Sequence, residues 1–429
     1  MTLLLVCFVV FLVLGMPIAF VIGLAGFAYF SSVPFLNFQT ATQMIVAQSQ
    51  SFAFLAVPFF IFAGNLMNVS GITDRLLGLA RLLTRRMYGG TAQISVVMST
   101  LMGGVSGSAT ADAAMETRIL GPEMMRLGYK KGYICAVNCV TALITATIPP
   151  SLGLIIFGFV GEVSIGRLFA AGLIPGVLMM LFLMVTTSIT CRINKFDPPK
   201  TESPPLSVKE VFENLKESVW ALLFPIILIV GIRFGVFTPS ESGAFAVIYS
   251  ILIGKFVYKE LNWQNFKQAL ITTLKDNGAI MLIIAMSGPF SYAITWVKLP
   301  VALSNLIFGI TTNPQALVLI MLGFLFITGM FVDSNVNFLL LTPIFLPMVK
   351  NAGIDPVHFG VLMATIVTLG VMTPPIGSAL YTVCGIIDCP PEEYTKYSLP
   401  FMAAVLLELA ILVFLPGLVL WIPNMIFGK

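Results

Sequence analysis

Two short breaks set the terms for any fold of this chain. Each is a Pro-Pro pair inside a run of apolar residues. The first is Thr145-Ala146-Thr147-Ile148-Pro149-Pro150-Ser151; the second is Gly370-Val371-Met372-Thr373-Pro374-Pro375-Ile376-Gly377. Proline has no backbone N–H and its ring clashes with the preceding turn, so a regular helix cannot run through either pair. The chain is 58% hydrophobic and only 10% charged, with a mean hydropathy of +0.99, so these runs are membrane material. Backbone that is not helical is tolerated at membrane depth only where protein buries it or where it lines a cavity. Two such breaks in corresponding places point to a transport site.

The correspondence is an internal repeat. Pro374-Pro375 follows Pro149-Pro150 by 225 residues, and the same shift carries Gly104 onto Gly329, Pro122 onto Pro347 and Gly128 onto Gly353. Ahead of each break lies a stretch of small, hydroxyl-bearing or carboxamide residues. Gly103-Gly104-Val105-Ser106-Gly107-Ser108-Ala109-Thr110-Ala111-Asp112 precedes the first, and Thr328-Gly329-Met330-Phe331-Val332-Asp333-Ser334-Asn335-Val336-Asn337 the second.

Taken in order, residues 3–30 read as one membrane span kinked at Gly15-Met16-Pro17. Residues 31–50 are polar and uncharged, 51–69 span again, and 74–87 form an amphipathic interfacial helix with arginines at 75, 81, 85 and 86. Residues 91–125 are interrupted at the Gly/Ser run, and neither arm reaches the roughly 20 residues a span requires. Basic residues flank both ends, so both ends are cytoplasmic and the segment is a re-entrant hairpin. Residues 133–159 are the first broken helix, and 168–190 return.

The first repeat is thus 1–194. Residues 195–237 are a cytoplasmic linker and one extra crossing, 220–237, which inverts the second repeat. That repeat, 238–429, comprises a span at 240–257, an interfacial segment at 262–274, a span at 279–296 and a short helix at 299–311. A second hairpin follows at 314–349, entering from the outside, then a broken helix at 359–386 and a last span at 398–421. The fold class is an all-α polytopic membrane protein with an inverted-topology repeat, two re-entrant helical hairpins and two broken helices. Loop charge alternates as inversion requires, and leaves the C-terminus outside.

Several function classes fall away. The net charge of +4 comes from loop lysines and arginines and is no nucleic-acid surface. The six cysteines show no metal-binding spacing and read as small buried hydrophobes. His358 has no second histidine beside which to bind a metal. An intramembrane enzyme would need a nucleophile–base pair or a metal set, and none is visible. A channel would account for paired hairpins, but broken helices in both halves fit alternating access better. The N-terminus has no basic segment ahead of its apolar run and reads as a first span, not a cleaved signal.

A helix cut in mid-membrane exposes carbonyls at one end and N–H groups at the other. Carbonyls with nearby hydroxyls suit a desolvated hard cation, and the N–H end suits a carboxylate. Two cation sites are expected, and their ligands lean towards Na+. The first comprises Ser106, Ser108, Thr145 and the carbonyls near Ile148 and Pro150. The second comprises Gly329, Asp333, Gly370 and Thr373, with carbonyls near Met372. Close helix packing or carbonyl back-bonding is the other use for such hydroxyls. The substrate would lie between the tips, at Thr110, Asp112, Arg118, Ser334 and Asn335. Asp112 and Glu116 share a helix face. Arg118 is either an ion-pair partner for them or a carboxylate ligand. Asp333 either coordinates a cation or caps the second hairpin helix. Glu408 faces either a partner subunit or an unidentified group.

GMPIAFVIG near the start, VPFFIFAGNLM at 57–67, VSGSATADAA, ITATIPPS, GVFTPSESGAFAV at 235–247 and VMTPPIG together resemble the large membrane subunit of tripartite ATP-independent periplasmic (TRAP) transporters. The likeness runs nearly end to end. One departure is Ser240-Glu241-Ser242, where the family usually has Thr-Glu-Ala. The resemblance implies an ion-transporter fold of the elevator type, with a scaffold part and a moving part. It implies sodium-coupled uptake of an organic acid in the bacterial inner membrane. It also implies two partners, a small four-helix membrane subunit and a periplasmic substrate-binding protein. Sialic acid, C4-dicarboxylates and sugar acids are all open as substrates. The alternative is a self-sufficient sodium/carboxylate symporter of related fold.

Overall fold

The computed structural model describes residues 2–50, 52–198 and 207–428. No strand occurs among the described residues. Among the described residues six helices are long and apolar enough to cross a membrane, or up to eight if each of two bent pairs counts as one span.

The chain opens with α1 (Thr2–Val13) and α2 (Ile18–Ser32). The single kinked span expected at 3–30 is two separate helices packed on each other. The reason is local. Gly15 adopts a positive φ of 75° and Met16 N–H donates back to Phe11 O, which terminates α1 as a glycine C-cap does. The polar stretch at 31–50 holds a helix that the hydropathy did not reveal, α3 (Phe38–Ser49), capped by the Asn37 side chain. Then come α4 (Ala56–Val69) and α5 (Ile72–Thr84), bent 66° from each other. The amphipathic reading of α5 holds, since Ile72, Leu76, Leu79 and Ala80 are buried. Its arginines reach other elements: Arg75 pairs with Glu260, Arg81 with Glu123 at 2.6 Å and Arg85 with Glu210 at 3.2 Å.

The first hairpin is α6 (Gly90–Gly103) and α7 (Ala109–Arg126). The first broken helix runs through α8 (Lys131–Thr141) and α9 (Leu143–Thr147), stops at 148–151, and resumes as α10 (Leu152–Val160) after a bend of 43°. Next are α11 (Ile165–Asn194) and α12 (Val208–Arg233). The expected linker and extra crossing are therefore largely one helix. Ser207 and Glu210 form a capping box that starts α12 well before residue 220. Residues 199–206 of the expected linker lie outside the described residues.

The second half has α13 (Pro239–Leu252), continued by a π-turn at Ile253–Val257, and α14 (Trp263–Trp296). The expected division into an interfacial piece and a span does not occur, and α14 is continuous over 34 residues. Asp276-Asn277-Gly278 has the composition of a turn, but Gly278 stays helical. Then come α15 (Leu299–Phe308) and the second hairpin, α16 (Pro314–Phe331) with α17 (Ser334–Asn351). The arm α16 has 18 residues and passes as a span by length and composition, whereas α6 has 14. The second broken helix is α18 (Pro356–Val371) and α19 (Ser378–Ile387). The last segment divides at Leu415-Pro416 into α20 (Pro391–Phe414) and α21 (Pro416–Phe427).

Both Pro-Pro bonds are cis. The broken helices lie at the centre of the molecule. Every residue of α18 from Val357 to Val371 is buried, as is every residue of α8 from Gly132 to Thr141. A helix apolar on all sides must be covered on all sides, and here hairpins and long helices pack round these two.

Candidate functional site

The first hairpin tip sits on the first break. Gly107 has a positive φ of 65°, and a Cβ added there would lie 2.5 Å from Pro150 O. A Cβ on Gly103 would lie 2.6 Å from the Ile148 side chain. Only glycine allows this approach. On the other side, Gly172 of α11 abuts the Thr147 carbonyl. The non-helical backbone is thereby buried in protein, as its depth demands.

Behind the tip, Asp112 is wholly buried and faces the hydroxyls of Ser106 and Thr145. Neither carboxylate oxygen has a hydrogen-bond partner of good geometry among the described residues. Thr145 itself donates to Ser99 O at 3.1 Å. One turn on, Glu116 is fully engaged. Ser95 Oγ donates to it at 2.6 Å and Ser99 Oγ at 2.8 Å, and Thr141 Oγ1 lies 2.7 Å from Ser95 Oγ. The pairing considered between Arg118 and these acids is absent. Arg118 is exposed and lies outside both cavities described below. At about 100° per residue it stands about 200° round α7 from Glu116, on the side away from the buried face that holds Asp112 and Glu116.

Two adjoining cavities open at the tips. One, of about 120 Å³, brings together Ser108 and Thr110 of the first tip, Ser151 of the first break and Asp333, Ser334 and Asn335 of the second tip. The other, of about 320 Å³, shares Ser108, Thr110 and Asn335 and extends past Ser106 to Asn65, Asn68 and Asp276. Of the five residues expected around a substrate, Thr110, Ser334 and Asn335 line a cavity. Asp112 and Arg118 do not, and Asp112 instead joins the group expected at the first cation site.

That group is brought together: Ser106, Ser108, Thr145, Ile148 and Pro150 all lie at the junction of tip and break. The second group is looser. Gly329 and Gly370 are in backbone contact, with a Cβ on Gly329 falling 2.6 Å from Val367 O and 3.1 Å from Gly370 Cα. Asp333 caps α17, accepting from Asn335 N at 2.9 Å, and also lines the smaller cavity. The Met372 carbonyl already accepts from Tyr394 Oη at 2.7 Å, and Thr373 Oγ1 donates back to Leu369 O at 2.7 Å.

Sequence reasoning missed Ser151, Asn65, Asn68 and Asp276. Asn65 Nδ2 donates to Thr273 Oγ1 at 3.0 Å and Asp276 Oδ2 at 3.4 Å, which joins α4 to α14. Asn65 and Asn68 interrupt an apolar run, a signal that could have marked them. His358 is structural, with Nε2 2.9 Å from Leu412 O. Glu408 is buried with no partner among the described residues.

Comparison with known proteins decides the family. The sequence pattern described as "Tripartite ATP-independent periplasmic transporter, DctM component" matches residues 5–418. The chain belongs to the DctM family. A putative TRAP transporter large permease protein of Haemophilus influenzae is 34% identical over 95% of both chains. The sialic acid TRAP transporter large permease protein SiaM of Vibrio cholerae is 33% identical over 96% of this chain and 96% of its own. In fold, the chain resembles the YdaH transporter of Alcanivorax borkumensis, whose crystal structure was described as having an unusual topology. The TM-score is 0.62 at 14% identity, over 89% of this chain and 88% of that one. As a DctM component the chain is a transport subunit, not an enzyme, and a multi-pass protein of the bacterial inner membrane.

Proposed function

We propose that this DctM component imports an organic acid by coupling its movement to Na+, with the acid delivered by a periplasmic binding protein and a small four-helix membrane subunit as partner. One observation carries the reading. The N-terminal ends of α7 and α17 line the same cavity, through Ser108, Thr110, Ser334 and Asn335. Helix N-termini carry partial positive charge, which favours a carboxylate between them, although at α17 the Asp333 cap already takes the Asn335 N–H.

The buried Asp112, beside Ser106 and Thr145, supports a cation site behind that cavity. A buried carboxylate without a partner is costly, and a desolvated cation would offset that cost. The second cation is assigned to Asp333 with Gly329, Gly370, Met372 and Thr373. Alternating access is of the elevator type, the tips and broken helices moving against α4 and α14. The sialic acid relative supports the substrate class.

The test is uptake into proteoliposomes holding this chain and its small partner, with an inward sodium gradient and the binding protein added or withheld. Uptake that needs both is expected. Uptake without the binding protein would move the chain to the self-sufficient symporters. Uptake indifferent to sodium would overturn the coupling.

A further inference from the structure

The sequence spaces its cysteines like buried hydrophobes, yet the fold collects three of them. The sulfurs of Cys135, Cys384 and Cys389 all lie within 4.8 Å of one another, and all three residues are buried. Cys135 stands near the start of α8 and Cys384 in the last turn of α19. Cys389 is brought back over Cys384 by a tight turn, in which Asp388 takes a positive φ of 52° and Cys389 N–H donates to Cys384 O at 2.9 Å. Gly132 lets the first turn of α20 lie against α8, because a Cβ there would fall 2.6 Å from Glu393 Cγ.

This is more than three small side chains in a core. Glu393 Oε2 lies 3.9 Å from Cys389 Sγ. Lys131 Nζ donates to Asp388 O at 3.0 Å, which places a positive charge on the turn that carries Cys389. Asp388 and Pro390 are exposed, so an ion has a short path from water. Sulfurs round a tetrahedral zinc, each about 2.3 Å from the metal, stand about 3.8 Å apart. The cluster is therefore within a small contraction of a coordination shell. Thiolates select soft d10 ions over sodium or magnesium.

We propose that Cys135, Cys384 and Cys389 form a binding site for a thiophilic d10 cation such as Zn(II), with Glu393 as the fourth ligand. Each ligating thiol gives up its proton to solvent as its metal–sulfur bond forms, and sulfur keeps its oxidation state, so no oxidant is needed. The bound ion staples α8, an arm of the first broken helix, to α19, an arm of the second.

The test uses the full chain, purified in detergent, reduced and stripped with a chelator. Titration with Cd(II) should give a saturable thiolate-to-metal charge-transfer absorption at one ion per chain, displaced by Zn(II). Cys384→Ser and Cys389→Ser should each weaken binding at least tenfold, and Cys7→Ser should leave it unchanged. X-ray absorption at the zinc edge of the loaded wild-type chain needs no variant, and should show a three-sulfur shell. Absence of the saturable band, wild-type affinity in both serine variants, or a shell of oxygen and nitrogen alone would overturn the proposal.

Discussion

Asp112 and Asn337 hold the same position in the two repeats, 225 residues apart, and do opposite things. The Asn337 carboxamide donates to Val332 O at 2.8 Å and to Asp333 O at 3.2 Å, tying the second tip to its own helix. Asp112, with no N–H to give, leaves its two oxygens without a hydrogen-bond partner of good geometry among the described residues. Asp112→Asn should therefore make the first tip resemble the second. The variant is expected to melt at or above the wild-type temperature without sodium, while sodium activation of uptake weakens tenfold or more, about 1.4 kcal/mol. Thermal shift with and without sodium, read beside sodium titration of uptake, checks this. Wild-type sodium dependence in the variant would remove Asp112 from the cation site.

Gly329 and Gly370 touch through their backbones. Alanine at either forces α16 and α18 apart, at a cost of about 1–3 kcal/mol as for an overpacked core. Thermal unfolding of Gly329→Ala should show the loss. Gly323→Ala, where nothing lies within 4 Å of a new Cβ, is the control.

Glu116 is satisfied by two serine hydroxyls. Glu116→Gln exchanges one acceptor oxygen for an NH2 that faces a hydroxyl already committed to its own bonds. It should cost about 1–3 kcal/mol of stability. The sodium concentration that half-saturates uptake should stay within twofold of wild type. A tenfold rise would make Glu116 part of the ion site.

Ser106→Ala and Asp333→Ala should each abolish sodium-driven uptake with expression intact. Asp333 is also a helix cap, worth about 1 kcal/mol. Asp333→Ser keeps a capping oxygen and removes the charge, so uptake by this variant separates the two roles. Restored uptake would leave Asp333 a cap alone.

The repeat, both hairpins and both breaks were legible in sequence, because glycine and proline write such features locally. The Pro-Pro pairs at 149–150 and 374–375 stop a helix inside an apolar run, and the 225-residue shift needs only residue identities. What failed was continuity and direction. Gly15 ended a helix that hydropathy alone ran through, and Gly278 did not end one where composition suggested a turn. The two-residue distance from Glu116 put Arg118 on the opposite face of α7, but which face turned inward depended on Ser95 and Ser99 of another helix. Asn65 with Asp276, and Cys135 with Cys384, are meetings across the fold that no local pattern carries.

The larger cavity has two kinds of wall. Ile61, Gly64, Asn65 and Asn68 of α4 and Asp276 and Ile280 of α14 form one side, with Asn65 bonded to Asp276 across it. Ser106, Ser108, Thr110, Asn335 and Thr382, from the tips and from α19, form the other. A solute held here touches both walls at once, so it works as a gauge of the gap between them. One too small leaves the gap open and wet, and one too large props it apart. If the proposed cargo is held here, its size is read by the seam rather than by either wall alone.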